Sequence, residues 1–446
     1  MKTYANKYIL LFLIMVCLFN NQLNAQDKTQ PINLETVLQL GGANNLTIQE
    51  YKQRQELALA DLAKAKEWWL PDLYAGTSIH QLWGNAMNSD GNIFTDVDRN
   101  NLWVGIGLNA TWDFGDGIFK ANAANLKSQA AEYQTEAERN KALLNIIQTY
   151  YDFLAAQLYY KAYQQLTKQS DTVAKQIAVQ VDAGLRYESE LLLAKSNTAH
   201  LNVEMLKSRV EYNNKSAALI KLLNLDPTFK LIATDTVLAP LELISIDKAY
   251  DSIDSVYQNR PEIKGMELSL HALNKEKKTI TTGLFLPEIR IGTYSSYFGD
   301  VISPINVREP NGNSFAPTSA INAALVWKIP IGRLTYNGGV KQYNAQISLR
   351  ENQLAQTQAQ VNMEIISTQQ EVTIANEQMK IAKEGNQLAE KALQQSIQRQ
   401  QLGTVRPFEI LQAQEIYITS RLDYLNAVAA YNKAQYAHYV AIGNKL

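Results

Sequence analysis

Cysteine is almost absent from this 446-residue chain, whose only example, Cys17, lies in an apolar run near the N-terminus. The remaining residues therefore have no disulfides, no thiol chemistry and no cysteine-based metal site. After that first run there is no uninterrupted apolar stretch of about 18 residues, so the sequence predicts no membrane-spanning helix there. The formal net charge of -1 gives no indication of nucleic-acid binding.

The N-terminus has the pattern of a secretory signal. Lys2 and Lys7 precede the apolar run "YILLFLIMVCLF", and polar residues follow the run up to Ala25. The run is too short to be a stable membrane anchor, and the residues "IMV" before Cys17 lack the small residues of a bacterial lipoprotein site. We therefore predict that residues 1–25 are a cleaved signal peptide and that the mature protein is exported.

Proline is missing from most of the chain, and its absence indicates long helices. Three long stretches contain none: residues 117–225, 339–405 and 408–443. They are rich in Ala, Gln, Leu, Lys and Glu, which favour helix, whereas proline breaks helix interiors. A helix from Ile118 to Ala183 would be about 100 Å long, and one from Val340 to Leu402 would nearly match it. In the last stretch, residues at coiled-coil spacing alternate between large and small: Ile410, Ala413, Tyr417, Ser420, Tyr424, Ala427, Tyr431 and Ala434.

A short glycine-containing pattern occurs twice, as "AGLRYESELLLAKS" and "LGTVRPFEILQAQE". Gly184 and Gly403 can each take the left-handed conformation that ends a helix. Glu190 and Glu409 follow six positions later, where a negative charge suits the positive start of the next helix. We interpret the chain as a duplication, with a first repeat at 26–226, a connecting segment at 227–260 and a second repeat at 261–446.

Segments that alternate between apolar and polar residues precede each long helix, at about 72–84, 101–114, 287–299 and 318–330. Alternating segments of about ten residues are a weak signature of transmembrane β-strands, although soluble hairpins packed on the helices would alternate in the same way. Four strands are too few to close a barrel in lipid. One chain could therefore not span a membrane alone, whereas three copies would supply twelve strands.

The order of several loose motifs resembles that of the TolC-like outer-membrane efflux family. The motifs are "LETVLQL" near the start, "LP" at 70–71 and 286–287, "WDFGDG" at 112–117 against "WKIPIGRL" at 327–334, "LNLDP" at 223–227 and "NRPEI" at 259–263. The resemblance covers nearly the whole mature chain. It implies a mostly α protein with transmembrane β-strands, in which long antiparallel helical hairpins form an α-barrel. Each protomer of a homotrimer would give four strands to a twelve-stranded β-barrel in outer-membrane lipid, with a large periplasmic portion.

The resemblance also implies a function, that of a passive outer-membrane exit duct gated at its periplasmic helical tips. Such a duct works with a periplasmic adaptor (membrane fusion) protein and an inner-membrane pump, in drug efflux or in type I protein secretion. Glu409 is the candidate for the pore constriction, with Gln412 beside it where family members often have a second acid. The residues expected at the tips and at the adaptor contact are Gly184, Leu185, Arg186, Glu190, Leu402, Gly403, Thr404 and Arg406.

Enzyme function is not expected from this sequence. Its four histidines are far apart and form no HxxxH pair, and no Walker loop or nucleophile elbow is present. The segment "DVDRN", Asp96 to Asn100, is expected in a surface loop but lacks the other ligands of a calcium loop. We therefore expect no catalytic residues, no metal site and no cofactor. The alternative to a duct is an exported helical scaffold or adhesin without a pore, for which the strands would not face lipid.

Overall fold

The computed structural model describes residues 28–88, 90–243, 253–299, 315–402 and 406–446. The predicted signal peptide, residues 1–25, lies outside these ranges. The chain divides into two compact units. The first, here the helical unit, comprises the chain up to Glu50 together with Glu138–Asn259 and Val361–Leu446; the second, here the sheet unit, comprises Tyr51–Ala137 and Arg260–Gln360.

Helices dominate the described residues. In chain order they are α1 (Leu34–Asn44), α2 (Leu46–Lys66), α3 (Phe114–Asp182), α4 (Glu188–Leu222), α5 (Ile253–Asn259), α6 (Pro261–Ile280), α7 (Ile331–Tyr336), α8 (Gly338–Gln401) and α9 (Pro407–Ala441). The 69 residues of α3 and the 64 of α8 confirm the two long helices that the proline distribution predicts. Among the described residues, no helix combines the length and the apolar character needed to cross a bilayer.

The sheet unit contains a four-stranded antiparallel sheet with the strand order β2-β3-β5-β6. The strands are β2 (Asp72–Met87), β3 (Ile93–Asp113), β5 (Glu288–Gly299) and β6 (Phe315–Val326). A separate two-stranded parallel sheet, in the helical unit, pairs β1 (Lys28–Ile32) with β4 (Phe229–Ala233). The four alternating segments of the sequence therefore form one sheet, as the predicted fold requires.

The two faces of the four-stranded sheet differ in character because residues directly opposite each other on antiparallel strands share a face. One face, here the apolar face, is exposed in the protomer. Its large side chains include Leu73, Ile79, Val104, Ile106, Leu108, Ile321 and Leu325. The opposite face, here the polar face, carries small, amide and tyrosine side chains, among them Tyr74, Gly105, Gly107, Asn109, Gly292, Tyr294 and Asn322.

The observed β3 is longer than the sequence predicted. It begins at Ile93, which pairs with Met87, rather than near residue 101. The segment "DVDRN" therefore lies within a strand, and its expected position in a surface loop is wrong. Because nearly all residues of this segment are polar, it shows no alternation of apolar and polar residues. It takes strand conformation because it pairs with β2. The register shifts near Gly84, and on the opposite strand Asp96 has a positive φ of 57°.

The last strand also differs from its expected bounds of 318–330. It begins at Phe315 and ends at Val326, which pairs with Glu288, the first residue of its partner β5. No ladder partner remains for the residues after Val326, and Pro330 could not donate to a ladder in any case. The strand therefore ends four residues before the sequence pattern suggested.

The β3 strand passes into α3 without a linker, and side-chain hydrogen bonds hold the junction. The carboxylate of Asp113, the last strand residue, accepts a hydrogen bond from the Asp116 N–H at 2.9 Å and so caps the helix. The indole Nε1 of Trp112 donates to the Trp69 carbonyl at 2.7 Å. A Cβ at Gly115 would lie 2.3 Å from the Gly283 carbonyl oxygen, so only glycine fits this contact.

The core of the helical unit is built around aromatic residues of α3. Phe153 is fully buried, and its ring stacks on Tyr212 of α4 with a centroid distance of 5.5 Å. The Tyr212 hydroxyl donates to the Leu231 carbonyl at 2.6 Å, while the Gln157 amide both donates to and accepts from the Ala233 backbone. These side chains satisfy the edge of β4 that faces away from β1. Each fully buried large side chain here contributes about 1.5–3 kcal/mol of stability.

Candidate functional site at the two helix-hairpin ends

The first hairpin end joins α3 to α4 through a left-handed glycine. Gly184 has φ +73°, which confirms the predicted conformation. The Leu185 N–H donates to the Gln180 carbonyl and the Gly184 N–H to the Val181 carbonyl, both at 2.9 Å, the bond pair of a Schellman motif. A Cβ at Gly184 would meet nothing within 4 Å, so the backbone conformation, not lack of space, requires glycine.

Arg186 folds back onto its own hairpin. Its side chain is 9% exposed, and its Nε donates to the Gln180 Oε1 at 2.5 Å. Its Nη1 lies 3.4 Å from the Glu190 Oε2, in the first turn of α4. Arg186 and Glu190 thus tie the turn to both helices. Leu185 and Tyr187, at 76% and 80% exposure, are the side chains that the turn presents outward.

The second hairpin end joins α8 to α9, and two of its predicted residues, Gly403 and Thr404, lie outside the described residues. Leu402, the last residue before them, is 77% exposed. Arg406 is the N-cap residue of α9 and accepts a hydrogen bond on its carbonyl from the Glu409 N–H at 3.1 Å. Pro407 takes the first helical position, as predicted, where its missing N–H costs nothing.

Glu409 forms a looser ion pair than Glu190. Its Oε2 lies 3.8 Å from the Nη1 of Arg399, and the two side chains are 51% and 59% exposed. Gln412 is exposed on the same helix. An exposed pair of this kind contributes at most about 1 kcal/mol. The charge of Glu409 is therefore available to solvent and to anything that passes this end of the hairpin.

An apolar layer packs the two hairpin ends against each other. It contains Val173, Ala174, Ile177, Ala194 and Ile410, drawn from α3, α4 and α9, with Ile397 of α8 partly buried beside it. The next apolar layer, farther from the ends, contains Leu166, Leu201, Leu393, Ala413 and Ile418. The structure thus brings the two predicted glycine patterns together at the end of one four-helix bundle. Every residue of the coiled-coil set predicted in α9 is buried or half-buried.

Polar side chains lie between and beside these apolar layers. The Asn197 amide of α4 donates to the Gln414 Oε1 of α9 at 2.9 Å, and Ser170 bonds Thr198 at 2.8 Å. Gln400 is fully buried, and neither of its amide atoms has a hydrogen-bond partner among the described residues. Such an unsatisfied buried group costs about 1–3 kcal/mol. The sequence analysis missed this polar set because buried and exposed glutamines look alike in glutamine-rich helices.

Arg399 and Tyr187 are further residues of this site that the sequence analysis missed. A pattern search around the glycines could have found Tyr187, which lies three positions after Gly184, as Arg406 lies three after Gly403. Burial raises the pKa of Tyr417, one turn above Ala413, so that phenol stays neutral. The site therefore presents exposed apolar and charged side chains on a bundle whose interior is partly polar. Among the described residues, no three His, Cys, Asp or Glu side chains form a metal-ligand cluster.

Residues 37–225 match the family described as outer membrane efflux protein. The match covers less than half of the chain, and over these residues the chain resembles that family. The match begins in α1, contains β2, β3, α3 and α4, and includes the first hairpin end. No curated protein matches the chain. The match confirms the suspected TolC-like resemblance and supports an outer-membrane channel.

Solved structures of outer-membrane channels share the fold of this chain. The CmeC channel of Campylobacter jejuni has a TM-score of 0.72 at 18% identity, with 92% of this chain and 85% of CmeC covered. CusC has a TM-score of 0.73 at 18% identity, with 92% of each chain covered. MtrE of Neisseria gonorrhoeae, solved in an open state, has a TM-score of 0.70 at 14% identity, with 92% and 89% covered. These neighbours confirm the predicted fold class of α-barrel helices with transmembrane strands.

Proposed function

We propose that the protein is an outer-membrane efflux channel, namely a homotrimeric, passive exit duct of a tripartite efflux or type I secretion system. An inner-membrane pump supplies the energy and selects the cargo, and a periplasmic adaptor connects the pump to the hairpin ends. The duct is gated by movement of the second hairpin end. Three sets of observations support these steps: uncovered helix surfaces, unpaired strand edges and the contrast between the two hairpin ends.

Two uncovered apolar stripes carry the proposal of a multi-copy tube. On α4, Leu192, Val203, Leu206 and Val210 are 50–59% exposed. On α8, Ile374, Ile381 and Leu388 recur every seven residues and are 54–71% exposed. Both spacings are those of coiled-coil seams. Because soluble proteins rarely leave such stripes in water, we infer that α8 of one copy packs against α4 of the next.

The four-stranded sheet supports the same assembly. Its outer strands, β2 and β6, each have one edge without a partner strand among the residues that the structure describes. Its apolar face fits lipid, where an unpaired backbone group costs several kcal/mol, so that only closed sheets span a bilayer. Joining β2 of one copy to β6 of the next closes the sheet. Three copies supply twelve strands, and this stoichiometry is that expected for the family.

The proposed gate lies at the second hairpin end. Glu409 and Gln412 are exposed near the start of α9, and around a threefold axis they would form rings of carboxylates and amides. Among the described residues, only the exposed Arg399 pair holds the Glu409 side chain. Movement of α8 and α9 can therefore separate this pair at low cost. A single acidic ring would attract cations into the entrance, more weakly than two adjacent acidic rings.

The proposed adaptor contact uses the outward side chains of both ends. Leu185, Tyr187 and Leu402 are among the most exposed apolar residues described. Gly184 shapes the first turn, Arg186 and Glu190 stiffen it, and Arg406 begins the helix after the second end. The apolar contact at the stiff first turn anchors a partner that docks on three equivalent subunits, and the contact at Leu402 links that partner to the end that moves.

The experiment that tests the assembly is mass determination of the detergent-extracted protein, with and without heating. A trimer in the outer-membrane fraction that needs detergent and dissociates on heating supports the duct. A soluble periplasmic monomer or dimer would instead support the alternative, an exported helical scaffold or adhesin without a pore. The uncovered stripes on α4 and α8 favour the trimer.

A further inference from the structure

One cross-strand row on the polar face of the sheet contains two tyrosines on either side of a glycine. Tyr74 pairs with Gly107, Gly107 with Tyr294, and Tyr294 with Ala320. The next row, in the direction of the β2–β3 turn, contains only small residues: Gly76, Gly105, Ser296 and Thr318. In the closed sheet of the proposed trimer, the polar face is the lumen wall, because the apolar face meets lipid.

Tyr74 lies flat across this wall. A Cβ at Gly107 would be 2.5 Å from both the Cζ and the Oη of Tyr74, so the ring covers the bare glycine backbone of β3. The Tyr74 hydroxyl reaches past β3 to the Thr293 carbonyl of β5, at 3.4 Å. The side chain nevertheless remains 40% exposed. One ring face thus rests on the wall, and the exposed part of the phenol is presented to the lumen.

The charges beside this ring favour cations. Asp72 is two residues away on the same strand and face, is exposed, and forms no ion pair among the described residues. Glu288 and Arg290, on the same face, neutralise each other through two hydrogen bonds of 2.7 and 3.1 Å, and Lys328 lies near Glu288. Asn109 pairs with Asp72 and adds an uncharged amide to the same row. A carboxylate next to an exposed ring face is a favourable place for an organic cation.

We propose that Tyr74 and Asp72 form a binding site for planar aromatic cations in the lumen of the β-barrel, once per subunit. The cargo ring stacks on Tyr74 above the small-residue row, and its positive charge lies near Asp72. The site delays such cargo on its way out, without chemistry and without a metal. This inference rests on the proposed function, because it requires the polar face to line a pore.

The test uses proflavine, a planar aromatic cation, and the ring-free cation tetraethylammonium. Proflavine binding to the detergent-purified protein is measured by fluorescence anisotropy, and block of the ion current is measured in planar bilayers with each cation added at the β-barrel side. We expect Tyr74→Leu to weaken proflavine binding and shorten its block about three- to tenfold. Asp72→Asn should weaken the block by both cations. Tyr74→Phe keeps the ring, so its proflavine binding and block should stay within about twofold of wild type.

Tyr297→Leu is the matched control, because Tyr297 is 56% exposed on the apolar face of the neighbouring strands. It should leave proflavine binding and block unchanged. The proposal is overturned if Tyr74→Leu binds proflavine like wild type, or if Tyr297→Leu loses binding to the same extent. The heat-sensitive trimer band of each variant shows whether that variant folds. Normal binding by Tyr74→Phe shows that a substitution at this position is tolerated. If no variant carries an ion current, the proposed channel function is contradicted. If the current is normal but its block by proflavine does not depend on Tyr74, only the proposed binding site is contradicted.

Discussion

The two helix-hairpin ends share a sequence pattern but are held in different ways. At the first end, the Schellman bonds around Gly184 and the nearly buried Arg186 tie the turn to both of its helices. At the second end, the corresponding acid, Glu409, lies 3.8 Å from an exposed arginine. A duplicated pattern has thus produced one stiff end and one loosely held end. The difference suggests a division of labour, in which the first end supports docking and the second moves.

A large effect on stability is expected from the glycine of the stiff end. Gly184→Ala places a Cβ on a residue with φ +73°, and the left-handed conformation costs a non-glycine residue about 1–2 kcal/mol. Thermal unfolding should show the loss. The control is Gly42→Ala, where a Cβ also meets nothing within 4 Å but φ is not positive; there the helix should gain up to about 1 kcal/mol. Equal shifts for both variants would contradict the role assigned to Gly184.

Substitution of Arg186 and of Arg399 should show which end affects stability and which end affects gating. Arg186→Ala removes a nearly buried, hydrogen-bonded charge, so we expect it to cost about 1–3 kcal/mol in unfolding experiments. Arg399→Ala removes an exposed partner and should cost less than about 1 kcal/mol, yet it should raise the open probability of reconstituted channels. The proposed difference between the ends is contradicted if Arg399→Ala destabilises the protein as much as Arg186→Ala does. It is also contradicted if Arg186→Ala raises the open probability as much as Arg399→Ala does.

A smaller effect is expected from the buried glutamine next to the loosely held end. Gln400→Leu replaces two unsatisfied amide atoms with an apolar group of similar length, and we expect a gain of about 1 kcal/mol in stability. The more stable bundle should also open less often in bilayers. Gln401→Leu is the matched control, because Gln401 is the exposed neighbour in the same helix. A stability loss for Gln400→Leu would mean that the amide has a partner in the assembled trimer.

The long helices and the duplicated turns could be predicted from the sequence because their signals are local. Proline-free, helix-favouring stretches predict α3 and α8, and the pattern after Gly184 predicts a left-handed helix end. The start of β3 could not be predicted in this way, since its polar residues near Asp96 take strand conformation only by pairing with β2. Sequence periodicity cannot identify a strand whose conformation depends on a distant partner.

The candidate site could be predicted in position but not in its internal contacts. The resemblance singled out Glu409 as the gating candidate, but nothing in the spacing distinguishes Glu409 from Glu190. The two acids differ in the arginine that each one contacts. Arg186, beside Glu190, is nearly buried, whereas Arg399, beside Glu409, is exposed. Burial depends on how the four helices pack, which the sequence pattern does not show. The buried Gln400 was missed for the same reason, because a glutamine-rich helix gives no local sign of which glutamine faces the interior.

The most direct measurement of the central claim is the single-channel behaviour of Glu409→Ala beside Glu190→Ala. If Glu409 lines the constriction, its removal should change the conductance and weaken block by divalent cations applied from the periplasmic side. Glu190→Ala should leave both unchanged while lowering thermal stability. Unchanged conductance and block in Glu409→Ala, or an equal change in Glu190→Ala, would contradict the assignment of the gate to the second hairpin end.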